Sequence, residues 1–425
     1  QKYKQKGFSP NHPVLIVPGL CSSAMKVVES PHKDWIDRRI WLDITTIGFG
    51  KVWDQMSIMK KKKRKKTSAA PGEQIRAEDL QDDTPSQEED QNRRRWIAHM
   101  VLQNDGMTDP VGIKLRPIET IHGIMYLDPG AITNALSYVF GPLVETLWDI
   151  GYTDDNLRAA PYDWRVPPGF LEFRDGYFTK LKEKVDDMVE VNEKKKVVIV
   201  AHSLGTRCVH YFLRFCEKNF GREWISNHVH TWIPVGPLWL GAPKSVRAST
   251  SGERMGLDAF LFEEEGILLS RCCGSSGWMF PFIVPDYEFT HYVYKKNKSN
   301  NWTGQSLKDT YEESDIAHIW KAYEGNYIND PCFGTQEEQL RAPPVDKMLV
   351  IYGINLKTEI FYFYKPSDGL TRLELDPTGD MDNFVCHGGI AYETKNTRQN
   401  KLRGRRRGGD GTVPYASLSY CTITE

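Results

Sequence analysis

The segment Val197-Val198-Ile199-Val200-Ala201-His202-Ser203-Leu204-Gly205 constrains the fold of this chain more than any other. An aliphatic, β-branched run follows Lys194-Lys195-Lys196 and reads as a buried strand. It runs into Ser203, after which Leu204, Cys208, Tyr211, Phe212 and Phe215 recur at helical spacing over 204–218. The pattern is G-x-S-x-G with Ala201 in place of the first glycine. In such a turn strand and helix pass close together, so only small side chains fit at 201 and 205. The serine is held in a strained backbone conformation, and the amide of Leu204 is aimed at an oxygen under attack. The competing reading is an ordinary strand-to-helix turn with a capping serine. His202 is expected to point away from Ser203 and to pack.

Other strand and helix patterns surround this segment. Residues 13–17 (PVLIV) form a short buried run ending at Pro18-Gly19, and the β-branched run Met348 to Tyr352, ending at Gly353, reads as a late sheet strand. Helical spacing is read over 131–150 and 173–192. Strands alternating with helices predict an α/β chain with a mostly parallel sheet and helices on both faces.

A serine hydroxyl needs a histidine to take its proton and a carboxylate to orient that histidine. In α/β hydrolases these follow in the order Ser, Asp or Glu, His. Asp410 stands in the glycine-rich turn Gly408-Gly409-Asp410-Gly411-Thr412-Val413-Pro414, where it is either this acid or a plain turn aspartate. No histidine follows it, and the last one, His387, precedes it. The catalytic histidine is therefore expected beyond Glu425, with His387 as a lesser alternative. A chain ending at Glu425 is expected to be nearly inactive.

Composition narrows the class. Hydrophobic residues at 40% and charged residues at 26% allow a large core without a disulfide scaffold. A formal net charge of −1 supplies no global field for nucleic acid. The basic runs Lys60–Lys66 and Arg403–Arg407 lack interleaved aromatics, so no nucleic-acid partner is expected. Residues 59–95 hold almost no apolar side chains and read as a disordered insertion. The sharper readings are a nuclear-localisation signal or a patch docking on anionic lipid. Order is expected to resume at Trp96. The eight cysteines contain no C-x-x-C pair, so no metal site is expected, and a serine mechanism needs no cofactor. Asn297-Lys298-Ser299 and Asn301-Trp302-Thr303 fit the N-glycosylation pattern. No apolar run of 18 residues is present, and the chain starts at Gln1, so its natural N-terminus is expected to lie upstream.

Five strings in order carry a resemblance: His12 to Gly19, Leu157-Arg158-Ala159-Ala160-Pro161-Tyr162-Asp163-Trp164-Arg165, Ala201 to Gly205, Gly241-Ala242-Pro243-Lys244, and Gly409 to Pro414. Together they resemble the lecithin:cholesterol acyltransferase family, which includes phospholipid:diacylglycerol acyltransferases and lysosomal phospholipase A2. The resemblance covers most of the chain outside 59–95. It implies an α/β-hydrolase fold with cap or lid insertions. It implies transfer of an acyl group from a glycerophospholipid through acyl-Ser203 to a lipid hydroxyl of a sterol or diacylglycerol. Hydrolysis to water, as a phospholipase A, and a non-catalytic lipid-binding chain are the alternatives.

In the resemblance Ser203 matches the nucleophile and Asp410 the acid, and the amides of Leu20 and Leu204 form the oxyanion site. Asp163 and Arg165 match a structural ion pair. Cys421 matches a disulfide position whose usual partner, near Val350, is not cysteine here; Cys386 is a possible replacement. The implied organisation is a core start at 1–58 with the oxyanion loop and a membrane-facing segment, the insertion 59–95, core 96–250 with the serine turn, a cap or lid at 251–345, and the rest of the core at 346–425. Contact with a membrane or lipid-particle surface is expected, in a secretory, endomembrane or lysosome-like compartment. Trp35, Ile36, Ile40, Trp41 and Leu42, and Trp278 to Ile283, are expected to dip into a lipid interface, to line an acyl groove, or to form plain core.

Overall fold

The computed structural model describes residues 3–43, 87–128, 137–254, 263–282, 291–314, 316–328, 330–367, 370–394 and 407–422. Its central sheet is parallel. Strands β1 (Val14–Val17), β5 (Leu157–Ala159), β6 (Val197–His202) and β7 (Val229–Val235) lie in the order β5-β1-β6-β7. Beyond β7, Met348 bridges Trp232 and Ile351 bridges Val235, both in parallel. The run at 348–352 thus joins the sheet as expected, though only through two isolated bridges.

Both sheet faces are covered, which is why β1 and β6 read as unbroken apolar runs. Leu15, Val17, Val197, Ile199 and Ala201 pack into one core with the helices Tyr177–Val191 and Leu204–Phe220. Val14 and Ile16 turn the other way, to Ile124, Phe140 and Val144, with Val198 and Val200 at the edge of that second core. Helices on both faces of this parallel sheet make an α/β-hydrolase-like arrangement.

Several expected helix bounds shift. Within the pattern at 131–150, Gly141–Ile150 form a helix opened by Pro142 and closed by Gly151 at φ 112°. Tyr138 instead bridges Tyr126, and 129–136 fall outside the described residues. The pattern at 173–192 is two helices, Pro168–Asp175 and Tyr177–Val191, parted by Gly176 at φ 62°. Order resumes earlier than Trp96, in the helix Gln87–Met100. The fully buried Trp96 and Met100 anchor that helix, and its polar first turns extend from the anchor. The remainder of the 59–95 insertion, with Lys60–Lys66, lies outside the described residues.

Two further sheets flank this layer. Strands β2 (Met25–Glu29), β3 (Arg39–Trp41) and β4 (Lys114–Pro117) form a small antiparallel sheet in the order β3-β2-β4. The other is built on β10 (Thr358–Ser367), which pairs in parallel with β8 (Val293–Lys296). It also pairs antiparallel with β11 (Leu370–Leu375) and β13 (Ile390–Glu393). β9 (Trp302–Gln305) and β12 (Val385–His387) complete this sheet at its two ends. Cys386 lies on β12 and carries no disulfide, so it does not replace the missing partner of the Cys421 position. His387 is exposed on the same strand.

Candidate active site

Ser203 sits at the junction of β6 and the helix Leu204–Phe220 with φ 52° and ψ −124°. For a residue with a side chain this is a costly backbone region, held only where its surroundings dictate it. The Ser203 hydroxyl makes no cap hydrogen bond to the helix, so the capping reading fails. The turn is held instead by its backbone: the Ser203 amide donates to Val235 O at 3.0 Å.

The small residues around the turn are explained by contacts. A Cβ at Gly205 would lie 2.3 Å from Pro18 O, so the helix passes directly over the end of β1. A Cβ at Gly19 would lie 2.9 Å from His202 O and 3.0 Å from Ser203 Cβ. The loop after β1 is thereby pressed against Ser203, which brings Leu20 to its side. Leu204, fully buried, opens the helix. His202 is set edge-on to Phe140, as a packing residue. Burial lowers its imidazole pKa, against the raising influence of the Asp410 charge.

Asp410 occupies a turn at the same end of the sheet. Its Oδ1 accepts from the amides of Thr412 (2.9 Å) and Val413 (2.8 Å), as a turn aspartate does. Its Oδ2 faces Gly236, 3.6 Å from where a Cβ there would be. Gly236 directly follows Val235, whose carbonyl holds Ser203. Serine and carboxylate therefore stand at the carboxyl ends of neighbouring strands β6 and β7. The loop is fixed from outside by Leu356 N donating to Gly409 O and Gly411 N donating to Thr358 Oγ1.

A cavity of about 310 Å³ opens at Ser203. Leu20, Cys21, Leu238, Met279, Ser270 and Ser276 supply much of its wall, with Lys244 and Thr412. Sequence reasoning gave no role to Lys244 or Ser270, because a lone lysine or serine carries no periodic or spacing signal. Among the described residues no group of three His, Cys, Asp or Glu side chains could hold a metal ion.

Asp163 and Arg165 form the structural pair expected of them. Arg165 Nε and Nη2 donate to Asp163 at 2.9 and 2.8 Å, both side chains fully buried. Arg174 Nη2 and Asp109 extend the network. Burial alone would raise the Asp163 carboxyl, but Arg165 and Arg174 outweigh it and hold it well below the carboxylate range.

The residues expected at a lipid interface are mostly core. Trp35, Ile40, Trp41 and Leu42 are buried, leaving only Ile36 exposed in that group. Trp278 is 1% exposed, stacked on Phe333 and edge-on to Tyr211, and Phe280 and Phe282 are buried. Met279 does line the cavity, while Ile283 lies outside the described residues. The dipping role is therefore withdrawn for the buried residues: their apolar area is already spent on the protein's own interior. No helix among the described residues is long and apolar enough to cross a membrane.

A parallel sheet flanked by helices on both faces, with a strained serine after one strand and an aspartate near the end of the next, is of the α/β-hydrolase-like class of fold. Within that class the chain belongs to the lecithin:cholesterol acyltransferase family, whose sequence profile matches residues 86–330, more than half its length. A phospholipid–sterol O-acyltransferase of Arabidopsis thaliana is 28% identical over 398 residues, covering 77% of this chain and 61% of the relative. A phospholipid:diacylglycerol acyltransferase of Schizosaccharomyces pombe is 27% identical, covering 65% and 39%. A phosphatidylcholine-sterol acyltransferase of Oryctolagus cuniculus is 30% identical, covering 74% and 60%. The chain thus spans about three fifths or less of the length of these relatives.

Proposed function

We propose that this chain is the acyl-transferring part of a phospholipid O-acyltransferase acting at a membrane or lipid-particle surface. The observation that carries the proposal is the Ser203 hydroxyl, unused by the helix and presented to a cavity from a strained turn. In the proposed reaction Ser203 Oγ attacks the ester carbonyl of a glycerophospholipid, and the amides of Leu20 and Leu204 take the developing negative charge. The lysolipid leaves, and a lipid hydroxyl then attacks the acyl-Ser203 ester and frees the serine. Asp410 is assigned as the carboxylate that orients the base. That base is a histidine in such a triad, taking the Ser203 proton and passing it to the departing lysolipid.

Family membership supports acyl transfer as the reaction class, and the names of the relatives point to sterol or diacylglycerol as acceptor. The two glycosylation triplets support passage through a secretory or endomembrane compartment. Asn297 and Asn301 both lie exposed in the turn between β8 and β9.

The test is twofold. A fluorophosphonate should label Ser203 of the full protein and fail to label Ser203→Ala. Acyl-labelled phosphatidylcholine, given with sterol or diacylglycerol, should yield labelled sterol ester or triacylglycerol. Labelled free fatty acid alone would make the protein a phospholipase A. No labelling and no product would leave a lipid-binding chain without catalysis.

A further inference from the structure

The cavity at Ser203 has two unlike sides. Leu20, Cys21, Ser270 and Ser276 also line a small void of about 10 Å³ directly behind it. The wall of that void continues into Trp41, Trp164 and Leu269, so this direction is apolar. Lys244 lies on the part of the cavity wall that the void does not share. Among the described lining residues it is the one cation.

The Lys244 ammonium is held by Glu253 Oε1 at 3.2 Å. An ammonium has three donors, so one carboxylate leaves it capacity for a further anion. The neighbouring Arg247 is committed to carboxylates, with both Nε and Nη2 on Glu359 at 2.8 Å and Nη2 also 3.7 Å from the same Glu253 Oε1. A second, independent feature also points to a ligand. Ser270 is 3% exposed and lines the cavity, yet its hydroxyl has no hydrogen-bond partner among the described residues. The hydroxyl of Ser245, by contrast, is already used on Ala242 O and Met279 O. A buried hydroxyl without a partner is costly unless something that enters the cavity satisfies it.

Resting on the acyl-transfer reading, we infer that Lys244 binds the phosphodiester of the donor phospholipid, and that Ser270 donates to a glycerol-ester oxygen between the two sides. The acyl chain then points toward Trp41 and Trp164. A single charge contact therefore separates phospholipids from neutral glycerides as donors.

The test measures binding, so it does not depend on turnover. Dihexanoylphosphatidylcholine and dihexanoylglycerol, both below their micellar concentrations, are titrated calorimetrically into Ser203→Ala. Adding Lys244→Met should weaken the phospholipid roughly 10- to 100-fold, as for loss of a charge-assisted hydrogen bond, and the neutral diester less than about threefold. Lys244→Arg should restore phospholipid affinity to within about threefold. Ser270→Ala should weaken both lipids alike, by about 2- to 10-fold. Glu253→Gln, which keeps the cation, should not reproduce the selective loss.

Equal weakening of both lipids by Lys244→Met, no weakening, or the same selective loss in Glu253→Gln would overturn the inference. Fluorophosphonate labelling of the parent chain reports on the acyl-transfer reading separately. Labelled Ser203 with unselective binding would sink Lys244 alone. Selective binding with an unlabelled serine would sink the catalytic reading alone.

Discussion

The contacts around Ser203 leave no room for a methyl group on either side of it. Gly205 meets Pro18 O and Gly19 meets Ser203 Cβ, so the two glycines fix the serine against the loop carrying Leu20. Gly19→Ala must push that loop outward, because the atoms it meets include backbone and the serine itself. If the Leu20 amide is an oxyanion donor, its displacement should slow fluorophosphonate labelling of Ser203 by about 10²- to 10³-fold. Overpacking should cost only about 1–3 kcal/mol of stability. Parallel measurement of labelling rate and urea midpoint checks this; a labelling rate within about threefold of the parent would remove Leu20 from the site. The restriction at Gly205 was legible in the sequence, because a turn between a buried strand and a helix demands small residues at fixed offsets; the close approach of Gly19 to Ser203 was not. Nor was the identity of the obstructing partner, the end of β1, since it lies far away in the chain.

Packing between elements decides the roles of the aromatic runs and of the Asp163 network. Trp278 fills the space between Tyr211 on the Leu204–Phe220 helix and Phe333. Trp278→Ala should therefore destabilise the fold by about 3–5 kcal/mol. Residual activity per folded molecule should fall alike on vesicles and on a soluble short-chain ester; a loss confined to vesicles would restore an interfacial role. Asp163→Asn keeps the shape but leaves Arg165 buried with a weakened partner. A cost of about 3–5 kcal/mol is expected, read as a lower urea midpoint; a change under about 1 kcal/mol would show that Asp109 alone suffices.

At this scale the sequence was read unevenly. The A-A-P-Y-D-W-R string disclosed its ion pair, yet Trp278 and Trp41 gave no sign of which side they would face. A glycine-rich aromatic cluster has the same composition in a core as at an interface. The second sheet went unread as well, although Thr358-Glu359-Ile360-Phe361-Tyr362-Phe363-Tyr364 has high strand propensity. Its partner β8 is more than sixty residues away, and parallel pairing leaves no hairpin signal between them.

For the molecule as a whole, buried titratable groups set the response to pH. His210 lies 2% exposed on the helix Leu204–Phe220, walled by Trp232, Trp239 and Phe333. Burial, then the charges of Arg207 and Arg214, hold its imidazole well below its ordinary pKa. The folded state keeps it neutral, whereas the unfolded chain protonates it below about 6.5. The unfolded state therefore binds the extra proton, and the stability contributed by neutral His210 is full above that pH and declines below it. Asp163 works in the same direction further down. Its folded pKa is depressed, so its contribution is full above about 3.9, its unfolded value, and is lost as pH falls toward the folded one. Two successive losses on the acid side follow. Unfolding free energy from urea titrations should fall between pH 7 and 5 with a slope approaching about 1.4 kcal/mol per pH unit from His210 alone. His210→Gln, at whatever cost in absolute stability, should flatten that segment and leave the steeper loss below about pH 4 in place. An unchanged slope between pH 7 and 5 in His210→Gln would assign the acid sensitivity to other groups. His99 and His202, also lowered by burial, would then be the ones to replace next.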